Sequence, residues 1–261
     1  MKLKRLSCYK MQPILRGNPT FIHVSLKEAI RATRLLAFIF LCGHLCPTLS
    51  ADNKHPQAPT LLNMEGAMIM EETFTGTEFP KEWTKGAGDW SMLDNTLHGS
   101  QRTSDHHIAF FYRMMPLPNP VVMRCDVRFE GNEVFAFAFN GTIRQDDHLF
   151  VISVSKDEIS AKAINSKFDK NDLGGQIASV SHDLSENTWH TVTIEVRGPE
   201  MVVYVDPQHV LYGTHDKVGR PIGNFGLRIG GDDNHYGSID NVRIYSARKN
   251  PIWDKRKASL K

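Results

Sequence analysis

The chain has 261 residues, of which 41% are hydrophobic, and it carries a formal net charge of +2. The charge is unevenly distributed, because residues 51–247 hold 17 basic and 27 acidic side chains and have a net charge of −10. A body this acidic argues against nucleic acid as the main ligand, since binding to a phosphate backbone requires basic side chains.

Residues 1–50 have the features of a secretory signal peptide. Eight basic residues stand against one acidic residue, and an apolar run at 35–46 is followed by the small residues of "PTLSA". This order of basic region, apolar core and small-residue exit is typical of exported proteins. The apolar run is shorter than the roughly 20 residues that span a bilayer.

We therefore predict a secreted or periplasmic protein that is cleaved after Ser50 or Ala51 and has no membrane span after cleavage. A buried helix of a cytosolic protein and an uncleaved membrane anchor are the alternatives. Three of the four cysteines lie in this leader, so no intramolecular disulfide can form after cleavage. Cys125, which alternates with apolar residues, is predicted to be a buried, inert thiol.

The residues after the leader are predicted to form mainly β-strands. Residues 51–70 form a proline-containing lead-in that we expect to be flexible. Between residues 71 and 247, apolar and polar side chains alternate with a period of two. The clearest predicted strands are "VVMRCDVRFEG", "EVFAFAFNG", "HLFVISVS", "WHTVTIEVRG", "MVVYVD", "NFGLRIGG" and "SIDNVRIY". Short strands joined by turns predict one all-β domain, an antiparallel jelly-roll β-sandwich. Residues 248–261, with six basic residues and one acid, are predicted to be a solvated basic tail.

The strand "EVFAFAFNG" presents two different faces. The phenylalanine row at positions 135, 137 and 139 is predicted to lie in the sandwich core. The opposite row contains Val134, Ala136 and Ala138, whose small side chains predict the floor of a shallow groove.

The strand "VVMRCDVRFEG" carries the most polar row of the sequence. Arg124, Asp126 and Arg128 lie on the face opposite its apolar residues. Planar guanidinium groups and carboxylates suit sugar hydroxyls or sugar carboxylates. We identify these three residues as the candidate binding site for a carbohydrate or glycoconjugate, with an ordinary solvated sheet face as the alternative.

Several of these segments resemble a known superfamily. "WHTVTIEVRGPEMVVYVD" and "IGNFGLRIGG…GSIDNVRIYSA" resemble strand pairs of laminin G-like and concanavalin A-like lectin/glucanase sandwiches. The hairpin "WSMLDNTLHG" is similar to the opening of exported bacterial domains of the 3-keto-disaccharide hydrolase type. The resemblance covers residues 71–247 and implies a concanavalin A-like fold and an association with glycans.

Asp240 in "SIDNVRIY" raises the question of a metal. It shares the predicted face of Val242 and Ile244, so we expect its carboxylate to point inward at the rim of the sandwich. A buried carboxylate needs backbone hydrogen bonds, a cation or a metal. The superfamily resemblance implies a structural calcium near this position, and we take Glu72, or its neighbour Glu71, as a candidate second ligand. Hydrogen bonds from backbone groups are the alternative.

The sequence limits the possible chemistry. A laminarinase-type retaining glycosidase uses paired carboxylates in a Glu-x-Asp-x-x-Glu array, and this sequence has no such array. We therefore favour an exported glycan-binding or glycan-associated module without catalysis. A carbohydrate-active enzyme of the 3-keto-glycoside lyase/hydratase type and a structural or adhesive surface domain are the alternatives.

Overall fold

The computed structural model describes residues 58–142 and 147–258, so the predicted leader lies outside the described residues. The strands are β1 (Asn63–Glu72), β2 (Trp83–Lys85), β3 (Asp89–Leu93), β4 (Thr96–Ser100), β5 (Ala109–Arg113), β6 (Val121–Glu130), β7 (Val134–Gly141), β8 (His148–Ser155), β9 (Glu158–Ala163), β10 (Gly175–Ser181), β11 (Trp189–Arg197), β12 (Glu200–Val205), β13 (Gln208–Thr214), β14 (Ile222–Gly230) and β15 (Tyr236–Lys249). Two 3₁₀ turns occur at Thr103–Asp105 and Asp216–Gly219, and a short helix, α1, spans Trp253–Lys257. No described helix has the length and apolar character needed to cross a membrane.

The strands form two antiparallel sheets. Sheet one has the order β13-β12-β11-β6-β15-β4-β3, and β1 also pairs with β15. Sheet two has the order β10-β9-β8-β7-β14-β5-β2. Neighbouring strands are often distant in the chain, as with β6 beside β15 and β7 beside β14, which is the arrangement expected of a jelly roll.

The core lies between the sheets and is formed by the inward rows that the alternation predicted. Phe135, Phe137 and Phe139 are at most 2% exposed and belong to the main apolar cluster. Cys125 is also buried there, and burial is the main reason why the pKa of its thiol lies well above the ordinary value. The prediction of a buried thiol is confirmed.

The two ends of the described chain differ from expectation. Strand β1 begins at Asn63, whereas the sandwich was predicted to begin at residue 71. Strand β15 continues to Lys249, and Trp253 of α1 is fully buried. A second apolar cluster forms on the outer face of sheet one, from Leu62, Val202, Tyr204 and Trp253. The prediction of a solvated tail is therefore wrong for residues 248–257, because apolar surface on β12 and β13 is covered by these residues.

The hairpin between β3 and β4 has the form that its sequence predicted. Asp94 and Asn95 at its turn both have positive φ, 51° and 56°. Two such residues are what a tight type I′ turn requires. Gly99 lies opposite Trp90, and a Cβ there would approach the indole ring within 2.5 Å. The small residue therefore allows the tryptophan to lie flat in the core.

The predicted orientation of Asp240 is wrong. Asp240 pairs with Asp126 on β6, and Asp126 belongs to the outward row, so Asp240 also lies on the outer face of sheet one. The register then shifts before Arg243, and Asn241 in between has a φ of 50°. This β-bulge adds one residue to β15 and reverses the alternation. Val242 therefore points inward although Asp240 does not.

Candidate functional site

The predicted polar row lies on the outer face of sheet one, but the guanidinium group of Arg124 is already hydrogen-bonded within the protein. Arg124 is 4% exposed, and its Nε donates to Oε1 of Glu65 at 2.7 Å. Its remaining nitrogens donate to the carbonyl oxygen of Ala58 at 2.8 Å and to Thr193 Oγ1 at 3.3 Å. Because the guanidinium group is paired and covered by the chain before β1, Arg124 is poorly placed to meet a ligand.

Asp126 and Arg128 also have partners within the protein. Asp126 accepts hydrogen bonds from Thr191 Oγ1 at 2.6 Å and from Asn241 Nδ2 at 2.9 Å. Arg128 pairs with Glu130 and lies over the ring of Trp189, 4.8 Å from its centroid. All three side chains of the row thus have partners within the protein, and the role of the row in binding stays a prediction.

The two predicted calcium ligands each have hydrogen-bond donors. Asp240 Oδ1 accepts the backbone N–H of Asn241 at 2.7 Å. Glu72 accepts the backbone N–H of Phe74 at 3.1 Å and the indole N–H of Trp83 at 3.2 Å. Within the described residues, no three His, Cys, Asp or Glu side chains come together as a metal site. Calcium, which also uses carbonyl oxygens, stays a prediction.

A groove of about 270 Å³ lies on the outer face of sheet two. It crosses β5, β14, β7 and β8, whose inward residues form the core beneath it. Three rungs of paired outward residues make up the groove, namely Phe110–Arg228–Ala136, Tyr112–Gly226–Ala138 and Asn224–Asn140–His148. Successive rungs are two residues apart along each strand, so the first and third are separated by about 13 Å.

Small residues form the floor of this groove and aromatic residues form one wall. Gly226 and Ala138 occupy the middle rung, and of the predicted floor row Val134, Ala136 and Ala138, it is Ala138 that lines the groove. The rings of Phe110 and Tyr112 lie side by side, with centroids 5.9 Å apart, and both side chains remain partly exposed. Phe110 packs closely on Gly86, where a Cβ would lie 1.9 Å from the ring. This contact holds the aromatic wall in place.

Amide and imidazole groups form one end of the groove. Asn140 Nδ2 donates to Asn224 Oδ1 at 2.5 Å, and Asn140 Oδ1 lies 2.5 Å from Nδ1 of His148. Asn224 is 2% exposed, and its Nδ2 has no hydrogen-bond partner within the described residues. Since buried polar groups are nearly always paired, this donor is a feature that a bound ligand would explain.

Arg228 lies at the other end of the groove. It is half-buried, and within residues 58–142 and 147–258 no carboxylate forms an ion pair with it. Burial lowers the pKa of Arg228 below its ordinary value, and no neighbouring charge contributes to that shift. His107, which is exposed, packs against Phe110 at this end. Lys167, also exposed, lines the groove from the segment after β9, at the end where His148 lies.

The sequence pattern does mark Arg228 as an outward-facing residue. Arg228 alternates with Leu227 and Ile229 in "NFGLRIGG", which places it on an outward row. Alternation alone, however, does not reveal that the neighbouring strands offer only Phe110 and Ala136 beside it. Strand order decides that, and strand order is not local.

No family model matches the sequence, and no curated protein matches it as a relative. Solved structures do match the fold. A protein of unknown function with a galectin-like fold from Bacillus subtilis aligns over 72% of this chain and 100% of its own, with 13% identity and a TM-score of 0.57. The chain is a concanavalin A-like, jelly-roll β-sandwich.

Two further solved structures share this architecture. LamA from Z. galactanivorans, in complex with laminaritriose and laminaritetraose, aligns over 70% of this chain and 100% of its own, with 12% identity and a TM-score of 0.53. An endo-β-1,3-glucanase from Pyrococcus furiosus aligns over 70% of this chain and 95% of its own, with 14% identity and a TM-score of 0.51. At these identities, the similarity establishes the fold.

Proposed function

We propose that this chain is a non-catalytic glycan-binding module and that the groove on sheet two holds the glycan. The observation that carries the proposal is the composition of the groove. Two partly exposed aromatic rings, an arginine without a carboxylate partner and an unpaired amide donor surround a floor of Gly226 and Ala138.

Each part of the groove matches a part of a sugar ring. Phe110 and Tyr112 offer apolar surface to the C–H face of a pyranose, while the phenol can also bond a hydroxyl. Asn140, Asn224 and Arg228 supply directional donors for hydroxyl oxygens. A few convergent polar groups over a mostly apolar concave surface are the usual design of a ligand site.

The groove chemistry favours binding over hydrolysis. A retaining glycosidase places two carboxyl groups about 5–5.5 Å apart across the scissile bond. The groove lining within the described residues contains aromatic, amide, imidazole and cationic groups. LamA, the neighbour of similar fold, is reported in complex with laminari-oligosaccharides, which supports a carbohydrate as the ligand class. Export through the predicted leader would place this module where extracellular glycans occur.

The test uses Gly226, where added atoms fill the groove without disturbing the core. A Cβ at this position would meet Tyr112 Cβ at 3.5 Å, an ordinary contact. We expect Gly226→Val to lower glycan affinity at least tenfold while the melting temperature stays the same or rises. Binding is measured on a glycan array and then by titration calorimetry, with Gly226→Ala as the milder control. Unchanged affinity in Gly226→Val would remove the groove as the binding site.

A second function, a lyase/hydratase acting on 3-keto-glycosides, is favoured by one observation besides the hairpin resemblance. His148 lies in the groove, and its Nδ1 is 2.5 Å from Asn140 Oδ1. This contact fixes the orientation of the imidazole ring, as is needed for a general base. Incubation of the full chain with 3-keto-glycosides tests this function. Turnover that His148→Gln abolishes would establish the enzyme and overturn the non-catalytic proposal.

A further inference from the structure

We propose that the groove selects acidic glycans, in which a carboxylate or sulfate ester on one sugar pairs with Arg228. This inference rests on the proposed function and names the ligand class of the same site. The inference rests on three observations: the uncharged neighbours of the guanidinium group, the ion pairs that most other arginines form, and the spacing of groups along the groove.

The outward positions around Arg228 are uncharged on every adjacent strand. Its paired neighbours are Phe110 on β5 and Ala136 on β7. Along its own strand, the next outward positions are Gly226 and Gly230. No carboxylate on these strands neutralises the guanidinium charge, and the same uncharged neighbours remove part of its hydration.

Most other arginines of the described chain have a carboxylate partner. Six of the nine form ion pairs, namely Arg102 with Asp89, Arg124 with Glu65, Arg128 with Glu130, Arg197 with Glu200, Arg220 with Asp172 and Arg243 with Glu71. Arg113, by contrast, lies over the ring of Trp83. Residues 51–247 have ten more acidic than basic side chains, so carboxylates are abundant. A half-buried cation without a partner costs stability, and a ligand anion would offset that cost.

The electrostatic character of the lining extends beyond one residue. Lys167 and His107 lie near the same groove, and the lining within the described residues holds no carboxylate that would repel an anion. Guanidinium binds a carboxylate or sulfate through two parallel N–H···O bonds, which a neutral hydroxyl cannot accept in the same way. The groove therefore favours anionic ligands, and Arg228 is the lining residue that can form this two-pronged pair.

The layout also predicts an orientation of the ligand. Arg228 and Asn224 are four residues apart on β14, about 13 Å along the strand. The acidic sugar is placed at Arg228, the next unit crosses the floor at Gly226, and the far unit lies at the amide and imidazole end of the groove. One acidic group per two or three sugar units fits this spacing.

Three oligosaccharide probes test the inference on the full chain by calorimetry. They are laminaritetraose as the neutral probe, an oligogalacturonate as the carboxylate probe and a chemically sulfated laminari-oligosaccharide as the sulfate probe. We expect at least tenfold tighter binding of one or both acidic probes at 0.05 M salt, with the difference reduced at 0.5 M salt because the ion pair is partly exposed. The two acidic probes distinguish the two sources of charge.

Three variants distinguish a specific ion pair at Arg228 from general electrostatic attraction between the ligand and the protein. Arg228→Gln should lower affinity for the acidic probe at least tenfold more than it lowers affinity for laminaritetraose, so that the acidic preference disappears, without loss of thermal stability. Arg228→Lys should recover part of the affinity, since it keeps the charge but not the two-pronged geometry. Arg102→Gln, which removes an exposed arginine elsewhere, should leave all affinities unchanged.

Two failures are distinguishable. Equal binding of neutral and acidic probes that Gly226→Val abolishes would overturn charge selection and keep the glycan-binding function. Absence of binding to every probe and to a broad glycan array would overturn both. An acidic preference that persists in Arg228→Gln would also overturn the assignment to Arg228.

Discussion

The carboxylate of Glu195 accepts a 2.7 Å hydrogen bond from the backbone N–H of Asn63, and both residues are fully buried. Its other oxygen accepts the backbone N–H of Leu61, also at 2.7 Å. Strand β11 thereby fixes the chain that enters β1, across 132 residues of sequence. The lead-in is thus part of the folded domain from at least Leu61 onward.

Replacement of Glu195 by Gln is predicted to destabilise the protein. Gln offers one acceptor oxygen to two N–H donors, and its amide group would face the second donor. Leaving one buried donor unpaired costs about 1–3 kcal/mol. Denaturant unfolding should show this loss as a lower midpoint with an unchanged slope. A Gln variant as stable as wild type would mean that the two bonds contribute little.

Substitutions of Arg124 and Arg228 are predicted to have opposite effects, one lowering the stability of the fold and the other lowering the affinity for glycan. Arg124→Met removes a mostly buried ion pair with Glu65 and should cost about 2–3 kcal/mol, with glycan affinity unchanged in the folded fraction. Arg228→Gln should have the reverse effect, because it breaks no internal pair. Melting curves and calorimetric titrations of both variants make the comparison.

Arg128 provides the third member of that comparison. Arg128→Ala removes contacts with Glu130 and Trp189 on sheet one, and we expect unchanged glycan binding. A selective loss of binding in this variant would instead place the site on sheet one, in the row predicted from sequence.

Glu200 is predicted to make the protein sensitive to acid. Burial acts to raise its pKa, but hydrogen bonds from Lys257, Arg197, Trp253 and Tyr212 outweigh burial and lower the pKa to about 2. Because the folded pKa lies below that of the unfolded chain, the contribution to stability is present above about pH 4.5 and is lost as pH falls toward 2.

Allowing for solvent screening, that contribution is about 1–2 kcal/mol. Unfolding of wild type and Glu200→Gln should be compared from pH 7 to pH 2. We expect the stability difference to shrink below pH 4.5, as protonation makes wild type resemble the variant. A constant difference across this range would show that the charge on Glu200 is not the cause.

Two glycines on opposite sheets are predicted to respond differently to an added methyl group. Gly99→Ala places a Cβ 2.5 Å from the ring of Trp90 and should destabilise the protein by about 1–3 kcal/mol. Gly226→Ala meets only ordinary contacts and should stabilise the strand by about 0.5–1 kcal/mol. Thermal melting of both variants tests the pair, and equal effects would contradict the packing described for Trp90.

Calcium dependence is a further prediction that melting can decide. If calcium binds at Asp240 and Glu72, wild type should melt at a higher temperature with calcium than with a chelator. Equal melting temperatures would mean that the hydrogen bonds these carboxylates accept are sufficient. If calcium binds there, a hundredfold excess over Kd adds about 2.7 kcal/mol, or roughly 5–11 °C. Such a rise, absent in Asp240→Asn, would establish the metal site.

The sequence by itself determined the local features of this protein. Period-two alternation predicted the strands, the phenylalanine row of the core and the small row that includes Ala138, because side-chain direction in a strand depends only on neighbouring residues. The hairpin turn at Asp94 and Asn95 was implied by the family resemblance, and it is also local, since both residue types tolerate positive φ.

The tertiary structure decided which outward residues form a site. One extra residue at Asn241 reversed the face of Asp240. The alternation does break there, since the inward residues Ile239 and Val242 are three positions apart, but only the strand pairing shows on which side of the break Asp240 lies. Arg124 found Glu65 at a separation of 59 residues and was neutralised. Arg228, in contrast, lies between Phe110 and Ala136, so these neighbours do not neutralise its charge. Pairing between strands that are distant in the chain therefore determined which arginine is available to a ligand.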